Sequence, residues 1–246
     1  MTTISPLFLL AALLLSGCEG KRAPTPATLV VWAWERPEDL RFLPDDVEVA
    51  VQTGFVEIAG DGFVARGRRF PLLVKTPPTT AVVHVQIDER TPVRWTPLLG
   101  QRVAAAVLHF ARTIPTHRVQ IDFEVRRSQR GILTDVVRDV RQGLPRDVSL
   151  SITALASWCQ EDWLHTLPVD EVVPMLFRMG RGGPSIRATI AQDGDWRDPV
   201  CRRALAVSVD TPIADAPAGR RIYLFDPRSW TKADFDSVQH QVEEWR

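Results

Sequence analysis

The sequence has no excess of charge of either sign. Its 246 residues contain 30 Lys and Arg and 30 Asp and Glu, so the formal net charge is zero. This balance excludes a globally basic nucleic-acid binder and an acidic disordered tail protein. The 45% hydrophobic and 24% charged residues are instead typical of a globular protein. We therefore expect no nucleic acid among its partners.

Several signatures of catalysis and cofactor binding are also missing. The sequence has no GxSxG nucleophile elbow and no glycine-rich phosphate loop. The five histidines show no HxxxH spacing, and the three cysteines form no CxxC pair or Cys/His cluster. We therefore expect neither a metal nor another cofactor.

A short apolar run lies near the amino terminus. The segment from Leu7 to Leu15 (LFLLAALLL) would reach only about half-way across a bilayer core as a helix, at about 1.5 Å per residue. It ends in the small residues Ser16 and Gly17, which precede Cys18. Such a run is typical of the apolar part of a signal peptide and not of a membrane-spanning helix.

The tetrapeptide Leu15-Ser16-Gly17-Cys18 resembles the bacterial lipobox, in which the cysteine is acylated and becomes the first residue after cleavage. The resemblance implies a signal peptide over 1–17, a tether over 18–28 and a membrane anchor through the lipid on Cys18. It places the protein in the cell envelope of a bacterium. Glu19 after the cysteine favours the outer membrane, with the protein facing the periplasm. The alternative is a buried N-terminal helix with an incidental cysteine.

Lipidation of Cys18 would leave Cys159 and Cys201 as an even pair in an oxidising compartment. A bridge between them would close a loop of about 42 residues and contribute about 4 kcal/mol in the chain-entropy model. We expect this disulfide, and the alternative is two unrelated buried thiols.

Eight β-rich runs follow the tether, with helical or loop segments between them. Most are short and bounded by Pro, Gly, Asp or Arg, as is typical of buried strands. Helical periodicity covers 96–113 and 131–143, a short turn or helix is expected at 162–167, and a capping-box variant at Thr231 opens a helix over 231–245. The β-rich runs are 29–34, 47–59 with a hairpin to 63–65, 81–87, 118–125, 149–155, 171–177, 204–209 and 221–225.

This alternation of strands and helices indicates a parallel sheet with right-handed crossovers. Eight strands in about 200 residues predict an α/β fold, a (β/α)8 TIM-like barrel with some short or missing helices. We expect it to form a single domain over 29–246. An open doubly wound sheet is the alternative, although Glu35-Arg36-Pro37 stands where its glycine-rich turn would follow the first strand.

In such a barrel the functional groups lie at the carboxyl ends of the strands. On the fourth strand Gln120, Asp122 and Glu124 alternate with apolar residues and therefore share one face. Two residues along a strand separate Cα atoms by about 6.6 Å, so the two carboxyls can couple and one can keep a proton as a general acid. Salt bridges with the adjacent Arg126 and Arg127 at a solvated strand end are the alternative.

The segment Val119 to Glu124 (VQIDFE) resembles the strand-four signature of chitinase-like family 18 glycoside hydrolases, which ends in Asp-x-Glu. The resemblance implies that Glu124 donates the proton and that Asp122 orients and polarises it. Gln120 stands where that family has an acid, and Phe177-Arg178 replaces its Tyr-Asp at the end of strand six. The replaced groups hold the acetamido arm of the sugar in that family, so these departures argue against a substrate-assisted mechanism.

Longer blocks resemble a family of uncharacterised bacterial lipoproteins with a barrel domain of unknown function. The blocks are Trp32 with Trp34, the segment 120–122, the segment 150–159 (LSITALASWC) and the segment 174–180 (PMLFRMG). The resemblance carried by these separate blocks spans about 30 to 230, nearly the whole chain after the tether. This resemblance implies the barrel and its site but no particular reaction.

Further polar and aromatic residues at strand ends complete the predicted binding site. A tryptophan ring can stack on the C–H face of a sugar, and packing at the barrel rim is the alternative for each one. Arg178, if buried, needs Asp122, Glu124 or Asp210 as a partner. Besides the catalytic pair Glu124 and Asp122, the predicted substrate-binding residues are Trp32, Trp34, Glu35, Gln120, Trp158, Arg178, Asp210, Asp226 and Trp230.

These features predict a lipid-anchored barrel that binds a carbohydrate polymer, an envelope or environmental glycan, and that is a candidate glycoside hydrolase. A non-catalytic glycan-binding or scaffold lipoprotein on the same barrel is the alternative, because fold does not imply function. The test is whether Asp122 and Glu124 face an open cleft or are neutralised by arginine. A third hypothesis, a partner in envelope assembly, predicts a large exposed apolar patch and no cleft.

Overall fold

The computed structural model describes residues 28–211 and 219–243. The predicted signal peptide, Cys18 and nearly all of the tether lie outside the described residues. Across the two described ranges the chain forms eleven β-strands and four α-helices, connected by loops and short 3-10 helices. No helix in these ranges has the length and apolar character needed to span a bilayer.

The bounds of the predicted strands and helices agree with those in the structure to within a few residues, and α3 is the helix that periodicity does not predict. The strands are β1 (Leu29–Ala33), β2 (Glu38–Asp39), β3 (Glu48–Ala59), β4 (Gly62–Gly67), β5 (Leu72–Leu73), β6 (Thr80–Ile87), β7 (Arg118–Asp122), β8 (Ser149–Leu155), β9 (Glu171–Met175), β10 (Ala204–Ser208) and β11 (Arg221–Phe225). The helices are α1 (Pro97–Ala111), α2 (Arg130–Gly143), α3 (Gly183–Asp193) and α4 (Lys232–Glu243).

Eight of the strands close into an all-parallel barrel. Its order is β1, β3, β6, β7, β8, β9, β10 and β11, and the ring closes where Val31 of β1 lies opposite Leu224 of β11. β4 forms an antiparallel hairpin with β3, and β2 and β5 form a separate two-stranded pair. The predicted TIM-like barrel with some short or missing helices is therefore confirmed. The alternative of an open doubly wound sheet is wrong, because such a sheet has two free edges.

Local side-chain chemistry sets where the helices begin. The Thr96 hydroxyl accepts a hydrogen bond from the backbone N–H of Leu99 at 3.2 Å at the start of α1. The Thr231 hydroxyl does the same for Asp234 at 3.2 Å, which is the predicted capping-box variant at the start of α4. Helix α3 starts with a Gly-Pro pair. Proline suits the first turn of a helix, because the backbone N–H groups there have no partner within the helix.

The amino-terminal end of the barrel is closed by four charged residues, each the first residue of its strand. Arg221 donates to Glu48 at 2.7 Å and lies 3.4 Å from Glu171. Arg118 approaches the same two carboxylates at 3.8 and 3.9 Å. Tyr223, inside the ring, donates its hydroxyl to Glu171 at 2.7 Å. Because the two arginines and two glutamates neutralise one another, this end of the interior is occupied by paired charges.

Above these charges the barrel interior combines an apolar cluster with the buried polar pair Gln120 and Ser151. Alternation along each strand sends one set of side chains into the ring and the other into a larger core beneath the helices. The interior cluster consists of Val30, Trp32, Ala50, Val82, Val173, Met175, Ala204, Ala206, Tyr223 and Phe225.

Cys159 and Cys201 form the predicted disulfide, with their Cα atoms 6.0 Å apart. Both cysteines are buried in the core outside the ring. The bridge closes a loop of 42 residues. In the chain-entropy model a loop of this length contributes about 4 kcal/mol.

A β-bulge in β3 determines which of its side chains face the barrel mouth. The register with β6 shifts between Gln52 and Gly54, so Thr53 is an extra residue. Gln52 and Phe55 both border the pocket at the mouth, although they are three residues apart. The bulge thus turns Phe55 inward and moves Val56 into the outer core.

Gly54, next to the bulge, lies directly under α1. A Cβ atom at this position would come within 2.3–2.5 Å of the Phe110 side chain. The backbone of β3 can therefore contact this helix only if residue 54 has no side chain.

We expect Gly54→Ala to lower the free energy of unfolding by about 1–3 kcal/mol, because the added methyl group overpacks the contact with Phe110. Gly62→Ala in β4 is the matched control, since a Cβ there meets no atom within 4 Å. Its effect should stay within about 0.5 kcal/mol. Urea unfolding of both variants tests this, and equal stabilities would contradict the packing argument.

Candidate functional site

A hydrogen-bonded aspartate and histidine lie at the carboxyl end of the barrel. Asp122 ends β7 and is only 4% exposed. Its Oδ2 lies 2.6 Å from Nδ1 of His84 on β6, and its Oδ1 accepts a hydrogen bond from the Thr153 hydroxyl on β8 at 2.7 Å. Because the strands on both sides hold the carboxylate, Asp122 has a fixed orientation.

The His84 ring is held between aromatic side chains and stays half-buried. It stacks on Phe55 at 5.5 Å between ring centroids and meets the edge of Trp34 at 6.4 Å. Burial is the largest single influence and opposes protonation, but the hydrogen bond and charge of Asp122, supported by Glu124, outweigh it and raise the pKa of His84. The imidazole is therefore biased toward its cationic form.

Glu124 follows two residues after Asp122, just beyond the end of β7. Its side chain is exposed to a cleft, and no hydrogen bond or ion pair joins its carboxylate to another described residue. Partial withdrawal from water by the cleft walls, then the charge of Asp122, raise the pKa of Glu124, while His84 and Arg178 act against them. A free carboxyl that keeps its proton more readily than usual is suited to general acid catalysis.

Two depressions open at the mouth, and Glu124 lines one of them. β3 and β6 each contribute to both, since Phe55 and His84 border one and Glu57 and Gln86 border the other. The first depression, here called the acidic cleft, has a volume of about 1130 Å³. Its charged and amide-bearing residues are Glu57, Gln86, Asp88, Glu89, Arg90, Glu124, Arg126 and Gln129.

The second depression, here called the aromatic pocket, has a volume of about 390 Å³. Rings from four different elements form its walls, and the His84 ring lies among them. Phe225 contacts both Trp34, at 6.0 Å between centroids, and Phe177, at 4.9 Å. The residues of the aromatic pocket are Trp34, Glu35, Arg36, Gln52, Phe55, Arg66, His84, Phe177, Arg178, Ser208, Phe225, Asp226 and Pro227.

Three of the four predicted sugar-stacking tryptophans are buried. Trp32 lies inside the ring and stacks on Phe225 at 4.5 Å. Trp230 lies in the outer core and donates its indole N–H to the backbone carbonyl of Trp32 at 2.9 Å. Trp158 also packs in the outer core, against Trp163 at 5.4 Å. None of the three offers a ring face to solvent, so they support the walls of the site without lining it, while Trp34 does line it.

Gln120 and Asp226 are fully buried as well. Gln120 lies one layer below Asp122 and donates its amide to the Ser151 hydroxyl at 2.8 Å. Asp226 borders the aromatic pocket and accepts a hydrogen bond from the backbone N–H of Arg228 at 2.7 Å. Burial raises the pKa of Asp226. Both residues shape the floor and walls of the site from within the protein.

The remaining candidates carry charge at the edge of the aromatic pocket. Glu35 lies 3.2 Å from Arg66. Asp210 accepts a hydrogen bond from the Ser208 hydroxyl, which lowers the pKa of Asp210. Arg178 is exposed, and Asp210 is the predicted partner that it approaches, at 3.7 Å. The structure therefore brings Glu35, Asp210 and Arg178 to the same opening as Glu124.

Neither acid of the predicted catalytic pair is salt-bridged to arginine among the described residues. Asp122 is engaged by His84 and Thr153, and Glu124 faces the acidic cleft. Such open clefts do not agree with the hypothesis of an assembly partner that lacks one. Arg126, considered in the sequence as a partner for these acids, pairs instead with Glu89 at 2.8 Å.

His84 is not among the candidate site residues predicted from the sequence, although it is the direct partner of Asp122. The signal was present in the sixth strand, where Val83 and Val85 alternate with His84 and must occupy the opposite face. The same alternation predicts that His84 lies on the interior face that Asp122 shares. What the sequence did not reveal was that the two residues are direct partners across β6 and β7.

A second group of titratable residues lies close to the disulfide. Asp162, His165 and Asp198 place potential ligand atoms within 4.8 Å of one another. His165 Nδ1 lies 3.2 Å from Asp162 and 3.6 Å from Asp198, and Asp198 accepts from the backbone N–H of Val200 at 3.1 Å. These contacts explain why the three side chains lie together, since they hold neighbouring loops to one another.

Comparisons with protein-family models, with curated proteins and with solved structures find no match to this chain. The resemblances to chitinase-like hydrolases and to bacterial lipoproteins therefore stay predictions. The barrel, the disulfide and the arrangement of the mouth are the observed properties on which function can be argued.

The raised pKa of His84 predicts a stability that falls as pH rises. The folded chain binds this proton more tightly than the unfolded chain, so the stabilisation is complete below the ordinary pKa of 6.5 and is lost as pH increases through the folded value. We expect His84→Gln to be less stable than the wild type at about pH 6, with a difference that narrows toward about pH 9. Urea unfolding across this range measures it, and a difference independent of pH would contradict the assignment.

Proposed function

We propose that this protein is a glycoside hydrolase-like lipoprotein of the bacterial cell envelope, which binds a carbohydrate polymer and cleaves a glycosidic bond at the barrel mouth. The observation that carries the proposal is Glu124, a carboxyl in a large cleft with a raised pKa and no partner among the described residues, two residues from the fixed Asp122–His84 pair. Where two carboxyls are neighbours, acid catalysis at a sugar requires that the pKa of one of them is raised, so that it keeps the proton that it donates.

In this proposal Glu124 is the general acid. Its proton moves to the glycosidic oxygen as the bond from that oxygen to the anomeric carbon breaks. Water then adds to that carbon, and the proton that the water loses returns to the Glu124 carboxylate. The charge of Asp122 favours the protonated form of Glu124 before transfer, and His84 in its protonated form favours the carboxylate that remains. Asp122 has both oxygens engaged, so we assign it a positioning and electrostatic role and not that of a nucleophile.

The rest of the mouth suits a carbohydrate. Amide and carboxylate side chains line the acidic cleft, and these groups can hydrogen-bond to sugar hydroxyls. The aromatic pocket offers ring faces beside them, and such faces suit the C–H side of a pyranose. β3 and β6 each contribute residues to both surfaces, so we propose that an extended chain lies across both with one of its bonds near Glu124.

A non-catalytic glycan-binding or scaffold protein is the second candidate. It is favoured by the buried Gln120 and by Phe177-Arg178, which stand where the chitinase-like pattern has acids. On this hypothesis the mouth binds a glycan, and Asp122 and His84 only stabilise the barrel.

The lipobox resemblance supports anchoring of the protein through a lipid on Cys18. We propose that this anchor lies in the outer membrane and that the barrel faces the periplasm. The described chain enters the ring at Leu29, at the end of the barrel opposite the mouth. An anchor on Cys18 would therefore join the barrel at the end away from the site.

We expect Glu124→Gln to lower the turnover of envelope glycans by about 10²–10⁴-fold while binding is retained, because the variant cannot donate the proton. Release of reducing ends by the detergent-extracted protein measures turnover. Glu243→Gln is the matched control, since Glu243 lies on α4 and lines neither depression, and turnover by this variant should stay unchanged. Unchanged turnover in Glu124→Gln would remove the assignment, and glycan binding without turnover by the wild type would favour the non-catalytic candidate.

Replacement of Cys18 by serine tests the anchor. We expect Cys18→Ser to abolish incorporation of labelled fatty acid and to shift the protein from the membrane fraction to the soluble fraction, because a lipid anchor needs the thiol. Cys159→Ser is a control that should stay lipidated. Retention of label in Cys18→Ser would show that the lipobox interpretation is wrong.

A further inference from the structure

The charges that solvent can reach are of opposite sign in the two depressions. The acidic cleft is lined by four carboxylates and two arginines, and one of those arginines is paired with Glu89. In the aromatic pocket the two acids are withdrawn from solvent. The Glu35 side chain is only 10% exposed and Asp226 is fully buried, whereas the side chains of Arg66 and Arg178 are 41% and 67% exposed.

The two exposed arginines of the aromatic pocket also keep most of their donors free of partners within 28–211 and 219–243. Arg66 donates once to Glu35, at 3.2 Å, and its guanidinium lies over the Phe55 ring at 4.2 Å. Arg178 has one approach, 3.7 Å to Asp210. A guanidinium has five N–H donors, so both arginines can bind an additional acceptor.

Arg36, on the same wall, shows what a purely structural arginine looks like. It donates to the Glu38 carboxylate at 2.7 Å and to the backbone carbonyls of Pro227 and Asp226 at 2.7 and 2.6 Å. Its donors are used within the protein, and it ties the end of β11 to the loop after β1. Neither Arg66 nor Arg178 has comparable bonding to the part of the chain that the structure describes.

The backbone at Arg178 provides an independent observation. Its φ is +50°, and it is the one non-glycine residue with positive φ in the ranges 28–211 and 219–243. A positive φ at a non-glycine residue costs about 1–3 kcal/mol. Such a conformation persists where the surrounding structure imposes it, often at binding sites. Here the conformation places the arginine after β9, where its side chain lies over the aromatic pocket.

We propose that the aromatic pocket binds an acidic sugar, whose carboxylate or phosphate group is held by Arg178 and Arg66 while its ring packs on the aromatic walls. The inference rests on the proposed function in that it takes the ligand to be a carbohydrate, and it names the class of that carbohydrate. Bidentate binding of a planar carboxylate or of a phosphate is the recognition for which the guanidinium group is best suited.

The position of Arg178 links this pocket to the proposed chemistry. The positive charge of Arg178 lowers the pKa of Glu124, against the influences that raise it. An anion bound to Arg178 offsets that charge, so the acidic substrate itself would help Glu124 to keep its proton. His84 lines the same pocket, and its raised pKa favours the protonated form, which would add to the attraction for an anion.

Binding of defined oligosaccharides to the detergent-extracted full chain tests the inference by calorimetry. The probes are trigalacturonate for the carboxylate, glucose 6-phosphate with glucose as its neutral reference for the phosphate, and cellotriose and chitotriose as neutral trimers. We expect at least one anionic probe to bind tenfold or more tightly than its neutral counterpart. Tighter binding of trigalacturonate would indicate recognition of a carboxylate, and tighter binding of glucose 6-phosphate would indicate recognition of a phosphate.

Arg178→Ala should remove most of this preference and Arg66→Ala part of it, with little change for neutral probes. Arg69→Ala is the matched control, because Arg69 also lies near Glu35, at 3.6 Å, but does not line the pocket. The preference should survive in that variant. Equal binding of anionic and neutral probes, or a preference that Arg178→Ala leaves unchanged, would overturn the inference.

The same titrations in Glu124→Gln separate this inference from the proposed hydrolysis. Anion-selective binding by Glu124→Gln together with no turnover by the wild type supports the acidic-sugar site and removes hydrolysis. Turnover of neutral oligosaccharides with no anionic preference supports hydrolysis and overturns the acidic-sugar site.

Discussion

Closure of the ring through the pairing of β11 with β1 is the constraint on which the rest of the structure depends. In a closed parallel barrel all eight carboxyl ends meet around one opening, so residues far apart in the chain become neighbours. The register of β6, β7 and β8 then places His84 opposite Asp122 and Thr153 within reach of the same carboxylate. A shift of one residue would turn Asp122 toward the outer core.

The two ends of the barrel use charge in different ways. At the amino-terminal end two arginines and two glutamates neutralise one another, and the interior is sealed. At the mouth the pairing is incomplete, since Glu124 has no partner among the described residues and Arg178 has only Asp210. Unpaired charges on a rigid scaffold are costly for folding and useful for binding, which is why perturbed groups mark functional sites.

Some expectations failed because the residue type carries no information about its surroundings. Trp158 and Trp230 follow strands in the sequence, as a sugar platform would, yet both pack in the outer core. The bulge at Thr53 is a further case, because it alone decides that Phe55 stacks on His84. The burial of the tryptophans and the orientation of Phe55 could not be derived from the residues next to them in the sequence. Both depend on contacts with segments that are distant in the chain.

The sequence by itself determined the eight strands, the main helix starts, the cysteine pair and the shared face of Gln120 and Asp122. These follow from local alternation, capping and spacing, which act over a few residues. Only the tertiary structure decided that Asp122 is held by His84, that Glu124 has no partner in the described ranges, and that the solvent-accessible charges differ in sign between the two depressions. Exposure and partners depend on contacts between distant segments, and those exist only once the ring has closed.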